Sequence, residues 1–198
     1  MSVPAHEQVG YTFSAWKTVV DDERQGRFHK AVAINSTLFG DTVDVSVLSN
    51  DCLHGARPRE ALGAKRLHTG VRVRQMRPVM LGEHLSVEAR VTAIRPDRRG
   101  RYIEVAFQFR APDGFVPIEI DHKSLILDAA PPPAATGPKP RNTEIEAFDV
   151  LRQVTLTPQM VRGYSHEFPH LSAHHDPEAS AAIGMRAPIA QGLMGFGL

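Results

Sequence analysis

Four stretches between residues 66 and 127 alternate apolar and polar side chains, and this pattern limits the fold more than any other feature of the sequence. They are RLHTGVRVRQMRPV (66–79), HLSVEARVTAI (84–94), RYIEVAFQFRAP (101–112) and FVPIEIDHKSLIL (115–127). A period of two is typical of strands that bury one face. PDRRGR and PDG, which separate the last three stretches, are typical turn sequences. The pattern therefore predicts antiparallel strands joined in succession as a meander.

A proline-rich segment divides the chain. Residues 129–142, AAPPPAATGPKPRN, contain five prolines, which are excluded from helix interiors and central strands and favour an extended, semi-rigid linker. The linker separates an N-terminal domain of residues 1–128 from a C-terminal domain of residues 143–198.

Helices are predicted on both sides of this linker. A short helix is predicted around residues 46–53, where the sequence has no sustained period. After the linker, FDVLRQVTLT (148–157) predicts a strand. Thr157 and Asp176 each precede a proline and are typical N-caps, so one short helix is predicted to begin after each of them.

Composition narrows the class of protein. The formal net charge of +1 provides no overall attraction to nucleic acid, and no apolar stretch reaches the roughly 18 residues of a membrane span. The single Cys52 cannot form a disulfide within the chain, and the N-terminus does not resemble a secretion signal. We therefore expect a cytoplasmic globular protein that binds neither nucleic acid nor membrane.

The sequence HEFPH (166–170) formally matches the HExxH motif of zinc enzymes. That motif needs both histidines on one face of a continuous helix, and Pro169 would break such a helix at a cost of roughly 3 kcal/mol. A looser loop site that uses His166, His170, His174, His175 and Asp176 remains an alternative. We expect no metal and no cofactor.

The longer stretch YSHEFPHLSAHHDPEASAAIGMRAPIAQGLM (164–194) resembles the signature of the MaoC-like (R)-specific enoyl-thioester hydratases and dehydratases. The family pattern runs approximately YSGDxNPxHxDPExAxxxGxxxPIAHGxM. Eleven positions fall on it without a gap: His174, Asp176, Pro177, Glu178, Ser180, Gly184, Pro188, Ile189, Ala190, Gly192 and Met194.

The resemblance implies an α+β hotdog fold, in which an antiparallel sheet wraps around a long helix. Larger members of the family contain two hotdogs in tandem. The strands before the linker would then form an N-terminal hotdog half without the signature, and the second half would be incomplete in this chain. The implied activity is that of a lyase, a hydratase or dehydratase acting on an acyl-CoA or an acyl-carrier-protein substrate.

The resemblance also assigns residues. His174 takes the place of the family's histidine, which shares the proton transfers with an aspartate five residues earlier. The backbone N–H of Gly192 is the candidate donor to the thioester oxygen, with Gln191, Ile189 and Ala190 beside it in the thioester-binding segment. Gln191 replaces the family's usual histidine. Asp176 is interpreted as a helix cap rather than a catalytic group.

The acidic partner of His174 is ambiguous. Counted back from His174, the aspartate position holds Pro169. Counted forward from Tyr164, Glu167 takes the position, with two extra residues before His174. If Glu167 acts, the catalytic pair survives. If it does not, the chain could be a non-catalytic hotdog subunit that binds an acyl thioester or supports an active partner.

The C-terminal segment PIAQGLMGFGL predicts an apolar helix without following strands to cover it. Each large apolar side chain left exposed would forgo roughly 1.5–3 kcal/mol of burial. We therefore expect further chain, a partner polypeptide or self-association to complete this half, which indicates a homo- or hetero-oligomer with another hotdog chain.

Overall fold

The computed structural model describes residues 5–55, 66–128, 149, 153–168, 171–182 and 185–197. A five-stranded antiparallel sheet lies at its centre. The four long strands fall on the four alternating stretches, which confirms those strands, whereas the three-residue β1 was not predicted. The strands are β1 (Trp16–Thr18), β2 (Arg66–Gln75), β3 (Leu85–Asp97), β4 (Gly100–Arg110) and β5 (Ile118–Leu127).

The order of strands across the sheet is β1-β3-β4-β5-β2. Strands β3 to β5 form the predicted meander, but β2 pairs with β5 rather than β3, so the meander prediction is wrong for its first strand. Residues 76–84 cross to the opposite edge. The Met76 N–H donates to the Pro117 carbonyl (2.8 Å), and the Gly82 N–H donates to the Val20 carbonyl just beyond β1 (2.8 Å). The alternation of apolar and polar residues determines which face of the sheet each side chain occupies. It does not determine which strand pairs with which.

The N-terminal helices share one core with the sheet. Helix α1 (Asp22–Val32) is capped at its N-terminus by Asp21, whose carboxylate accepts a hydrogen bond from the Arg24 N–H (2.7 Å). The helix predicted around 46–53 is present as two short helices, α2 (Val45–Leu48) and α3 (Asp51–His54). Helix residues Phe28, Val32, Val47 and Leu48 are buried together with the inward-facing side chains of β3, β4 and β5.

The described C-terminal residues form helices and no strand. They comprise α4 (Pro158–Tyr164), α5 (Pro177–Ala182) and 3-10 helices at Ser165–Glu167, Ser172–His174 and Gly192–Gly195. Thr157 and Asp176 cap α4 and α5 as predicted, since their side chains accept hydrogen bonds from the N–H groups of Met160 (3.2 Å) and Glu178 (2.9 Å).

The strand predicted over 148–157 is wrong at 149 and 153–157, and its other residues lie outside the described ones. Leu156, expected on the buried face of that strand, is 41% exposed. The alternation in this segment therefore does not reflect a buried face.

The C-terminal segment packs onto the N-terminal half. The ring of Tyr164 meets that of Phe28 edge to face at 5.1 Å, and its hydroxyl accepts a hydrogen bond from Asn50 Nδ2 (3.1 Å). Leu193 and Met194 are fully buried in the same core as the sheet. We expected the apolar C-terminal segment to have nothing to cover it. The N-terminal half in fact covers Leu193 and Met194, whereas Phe196 is 39% exposed.

Two other expectations concern the linker and membrane-spanning helices. The proline-rich linker at 129–142 lies outside the described residues. Within the described ranges, no helix combines the length and the apolar character needed to cross a membrane.

Candidate active site

A cavity of about 190 Å³ lies between the β2–β5 edge of the sheet and the C-terminal segment. We call it the signature cavity, because five predicted site residues line it together. They are His174, Ile189, Ala190, Gln191 and Gly192. The rest of its lining comprises Cys52, Leu53, Arg66, His68, His122, Ser124, Leu171 and Leu193. Burial raises the pKa of the Cys52 thiol well above its ordinary value, so this cysteine is a protonated, inert wall residue.

His174 is held by a bond that determines its tautomer. It ends the 3-10 helix Ser172–His174, and its Nδ1 lies 2.7 Å from the carbonyl oxygen of Ile189. A carbonyl oxygen only accepts hydrogen bonds, so Nδ1 carries the proton and donates. In the neutral imidazole, Nε2 therefore has the basic lone pair, which is the arrangement a general base requires.

Gln191 is 4% exposed and lies just before the 3-10 helix Gly192–Gly195. Its Nε2 donates to the hydroxyl oxygen of Ser165 (3.0 Å), and that hydroxyl donates to the Val161 carbonyl (2.8 Å). Its other amide atom, Oε1, has no hydrogen-bond partner among the described residues.

Gly192 allows close contact between the C-terminal segment and strand β2. A Cβ atom at this position would lie 2.4 Å from Nδ1 of His68, which is closer than atoms can approach. As the first residue of its 3-10 helix, Gly192 has an N–H outside the helix's own hydrogen bonds. The neighbouring Ile189 and Ala190 are half-buried walls of the cavity, and the Ile189 N–H reaches back to the Ala173 carbonyl (3.4 Å).

Glu167 occupies a different place. Its carboxylate accepts hydrogen bonds from Arg24 Nε (2.6 Å) and from His54 Nε2 (2.7 Å), and Arg24 also pairs with Asp51 (3.3 Å). We call these four residues the ion-pair cluster. Burial alone would raise the pKa of Glu167, but the hydrogen bonds from His54 and Arg24 and the charge of Arg24 lower it to about 2. Glu167 is thus a fixed carboxylate, and it lines a separate surface hollow with Arg24, Asp51 and His54.

Two histidines that we did not predict line the signature cavity. His68 on β2 and His122 on β5 stack with their ring centroids 4.6 Å apart. Burial lowers the pKa of His68, against a smaller opposing effect of a backbone hydrogen bond at Gly70, so its imidazole is neutral at pH 7. The alternation of β5 contained a signal, because it puts His122 and Ser124 on the same buried face as Ile118 and Ile120. Polar residues at core positions indicate a site.

The HEFPH segment is engaged elsewhere. His166 Nδ1 donates to the Gly163 carbonyl (2.9 Å), Glu167 belongs to the ion-pair cluster, and Pro169 and His170 lie outside the described residues. In the part of the chain that the structure describes, no three His, Cys, Asp or Glu side chains are grouped to hold a metal ion.

Comparisons with known proteins identify the fold. Neither a known family profile nor a curated protein sequence matches this chain. Among solved structures, a MaoC-like dehydratase is similar with a TM-score of 0.68 and 16% identity, covering 98% of this chain and 77% of its own. A MaoC-like dehydratase from Phytophthora capsici is similar with a TM-score of 0.67, 18% identity and coverage of 98% and 75%.

HtdX from Mycobacterium tuberculosis is also similar, with a TM-score of 0.65, 18% identity and coverage of 92% and 74%. These likenesses confirm the predicted α+β hotdog fold and the resemblance to MaoC-like proteins at the level of fold. The described C-terminal residues form helices and no strand, and this chain matches 74–77% of the length of these three structures, in agreement with the predicted tandem hotdog whose second half is incomplete in this chain.

Proposed function

We propose that this chain, which has the hotdog fold of the MaoC-like dehydratases, binds an acyl thioester in the signature cavity and adds or removes water at its α,β double bond. The observation that carries the proposal is the state of His174. Its Nδ1–H is committed to the Ile189 carbonyl, so Nε2 is the basic atom of a ring that lines the cavity. The carrier of the acyl group is CoA or an acyl carrier protein.

In the hydration direction, His174 performs both proton transfers. Nε2 takes a proton from water as the water oxygen forms a bond to the β-carbon. The π electrons then move onto the thioester as an enolate, whose oxygen the Gly192 N–H stabilises. His174 finally returns the same proton to the α-carbon, so the net change is the addition of one water. Dehydration follows the same steps in reverse.

The cavity volume favours a short acyl group. Pockets for drug-sized ligands typically measure roughly 300–1,000 Å³, and the signature cavity is smaller, at about 190 Å³. Leu53, Leu171 and Leu193 supply apolar surface for such a chain. Because the thioester end must reach Gly192 and His174, little of the cavity is left for a long alkyl tail.

One observation favours a second function. Glu167 is bound in the ion-pair cluster and does not line the cavity. Among the described residues that line the cavity, His174 is therefore the one signature residue with a titratable side chain, and it has no acidic partner from the signature there. The second candidate is therefore a subunit that binds an acyl thioester without turnover and assists an active hotdog chain. In both cases the chain acts as an oligomer with another hotdog chain.

The test is the loss of enoyl-thioester absorbance when crotonyl-CoA is mixed with the purified chain. We expect turnover in the wild type, a fall of about 10²–10⁴-fold in His174→Ala, and a fall of less than about tenfold in Glu167→Gln. Calorimetry in parallel measures binding of butyryl-CoA, which cannot react. Binding without turnover supports the second candidate, whereas absence of binding in the wild type would refute both.

A further inference from the structure

Ser36, His29 and Asp44 form a hydrogen-bonded chain, and none of the three lines the signature cavity. His29 Nδ1 lies 3.0 Å from the Ser36 hydroxyl oxygen, and His29 Nε2 lies 3.0 Å from Asp44 Oδ2. His29 and Asp44 are buried, whereas Ser36 is exposed. The chain of bonds therefore runs from a buried carboxylate to a hydroxyl group at the surface.

The Asp44 carboxylate determines the tautomer of His29. Its Oδ1 accepts a hydrogen bond from the Ser46 N–H (2.8 Å), and the Asp44 N–H donates to Gln25 Oε1 (2.7 Å), so the carboxylate is fixed at the start of α2. A carboxylate oxygen only accepts hydrogen bonds, so the proton of the neutral imidazole is on Nε2. Nδ1 then has the lone pair, and the Ser36 hydroxyl donates to it.

This order of groups is the one that activates a serine. In Ser-His-Asp enzymes the carboxylate orients the imidazole, and the other ring nitrogen takes the serine proton as the serine oxygen attacks. In this chain the two ring nitrogens have exchanged positions, but the chemistry is unchanged because either nitrogen can accept the proton. Phe39 packs against the His29 ring, with the ring centroids 4.9 Å apart, and restricts its rotation.

We propose that Ser36 is a nucleophile that takes acyl groups from activated esters, with His29 as its base and Asp44 as a positioning residue. Ser36 Oγ forms a bond to the acyl carbon while its proton passes to His29 Nδ1. The bond from that carbon to the leaving sulfur or oxygen then breaks, and His29 gives the proton to the leaving group. The product is an acyl ester on Ser36, which water cleaves by the same two proton transfers.

The exposure of Ser36 limits the class of acyl donor. Water surrounds the reacting carbonyl at an exposed hydroxyl, so the developing negative charge receives little preorganised stabilisation. Aryl esters and thioesters, which have good leaving groups, are suited to such a site, whereas amides are not. The site is independent of the proposed function, since it uses neither His174 nor the signature cavity.

The probe is p-nitrophenyl acetate, and peptide mass spectrometry follows the acetyl group at each serine over time. Ser14, another exposed serine, is the matched control within the same molecule. We expect Ser36 to be acetylated about 10²-fold or more faster than Ser14 in the wild type. Asp44→Asn should lower the rate at Ser36 by about 10²–10⁴-fold and leave the rate at Ser14 unchanged.

Nitrogen NMR of histidine-labelled protein gives a readout that a merely structural role would not move. In Asp44→Asn the new amide oxygen must still accept from the Ser46 N–H, so its NH₂ group faces His29. We therefore expect the ring proton on Nε2 in the wild type and on Nδ1 in this variant.

Three results would overturn the proposal. They are acetylation of Ser36 no faster than that of Ser14, a wild-type His29 with its proton on Nδ1, and a folded Asp44→Asn that keeps the wild-type rate at Ser36. Circular dichroism verifies that the variant is folded. Should it fail to fold, the two wild-type measurements decide by themselves.

Discussion

At the scale of single residues, Gly192 is a position where one added methyl group should disturb the candidate site. A Cβ at this residue would lie 2.4 Å from His68 Nδ1, so in Gly192→Ala either the His68 ring or the 3-10 helix must move. We expect a loss of about 1–3 kcal/mol in the free energy of unfolding, and a loss of butyryl-CoA affinity because the cavity wall is displaced.

Urea unfolding and calorimetry measure the two effects. Gly195→Ala is the matched control, because it lies in the same 3-10 helix and its added Cβ would meet no atom within 4 Å. Equal losses in the two variants would mean that the helix, and not the contact with His68, is the sensitive feature.

The residues of the site were predictable to the extent that they are close in sequence. His174 and three of the four residues 189–192 match a gap-free pattern, and the bond from His174 to Ile189 brings the two parts of that pattern together. The position of Glu167 depends instead on Arg24 and His54, which come from distant segments and have no sequence relation to it. His68 was not predicted because one histidine in a strand has no local pattern.

At the scale of elements, the ion-pair cluster fastens the 3-10 helix Ser165–Glu167 to α1 and α3. The pKa of Glu167 is lowered to about 2 in the folded chain, from its ordinary value of 4.5. A carboxylate with a lowered folded-state pKa stabilises the fold above its unfolded-state pKa. This contribution is lost as the pH falls from about 4.5 toward 2. Glu167 is 13% exposed, so solvent screens its ion pairs little.

We therefore expect Glu167→Gln to lower the free energy of unfolding by about 2–3 kcal/mol at pH 7, and by progressively less below pH about 4.5. Urea unfolding at a series of pH values measures this difference. Glu23→Gln is the control, since Glu23 pairs with Arg27 on the surface and is 73% exposed, so its effect should stay below about 1 kcal/mol. A Glu167→Gln deficit that is the same at pH 3 as at pH 7 would contradict the assignment.

The elements themselves were predictable where burial repeats along the chain. The inward positions of β4, such as Val105 and Phe107, are fully buried at every second residue, and this is what the alternation reported. Helix α1 was missed because DERQGRFHKAV includes a glycine and few apolar residues. Its buried face consists partly of Gln25 and His29, whose partners lie in other segments.

At the scale of the whole molecule, the described residues on the two sides of the predicted linker share one hydrophobic core. Leu193 and Met194 are buried in the core that also contains Phe107 and Phe109 of the sheet. Unfolding of the C-terminal segment would therefore expose part of the core of the N-terminal half. The sequence could not predict this, because an apolar segment does not specify which surface will cover it.

Because the C-terminal segment and the sheet share this core, we expect a substitution in the C-terminal segment to destabilise the sheet. Leu193 is 1% exposed, and Leu193→Ala should lower the free energy of unfolding by about 2–5 kcal/mol. The single tryptophan, Trp16 in β1, reports on the N-terminal half by fluorescence. The urea transition of Trp16 should shift together with the transition seen by circular dichroism.

Phe196→Ala, which truncates a side chain that is 39% exposed, should shift both transitions by less. A Trp16 transition unchanged in Leu193→Ala would show that the two parts unfold independently and that the signature cavity can open while the sheet remains folded.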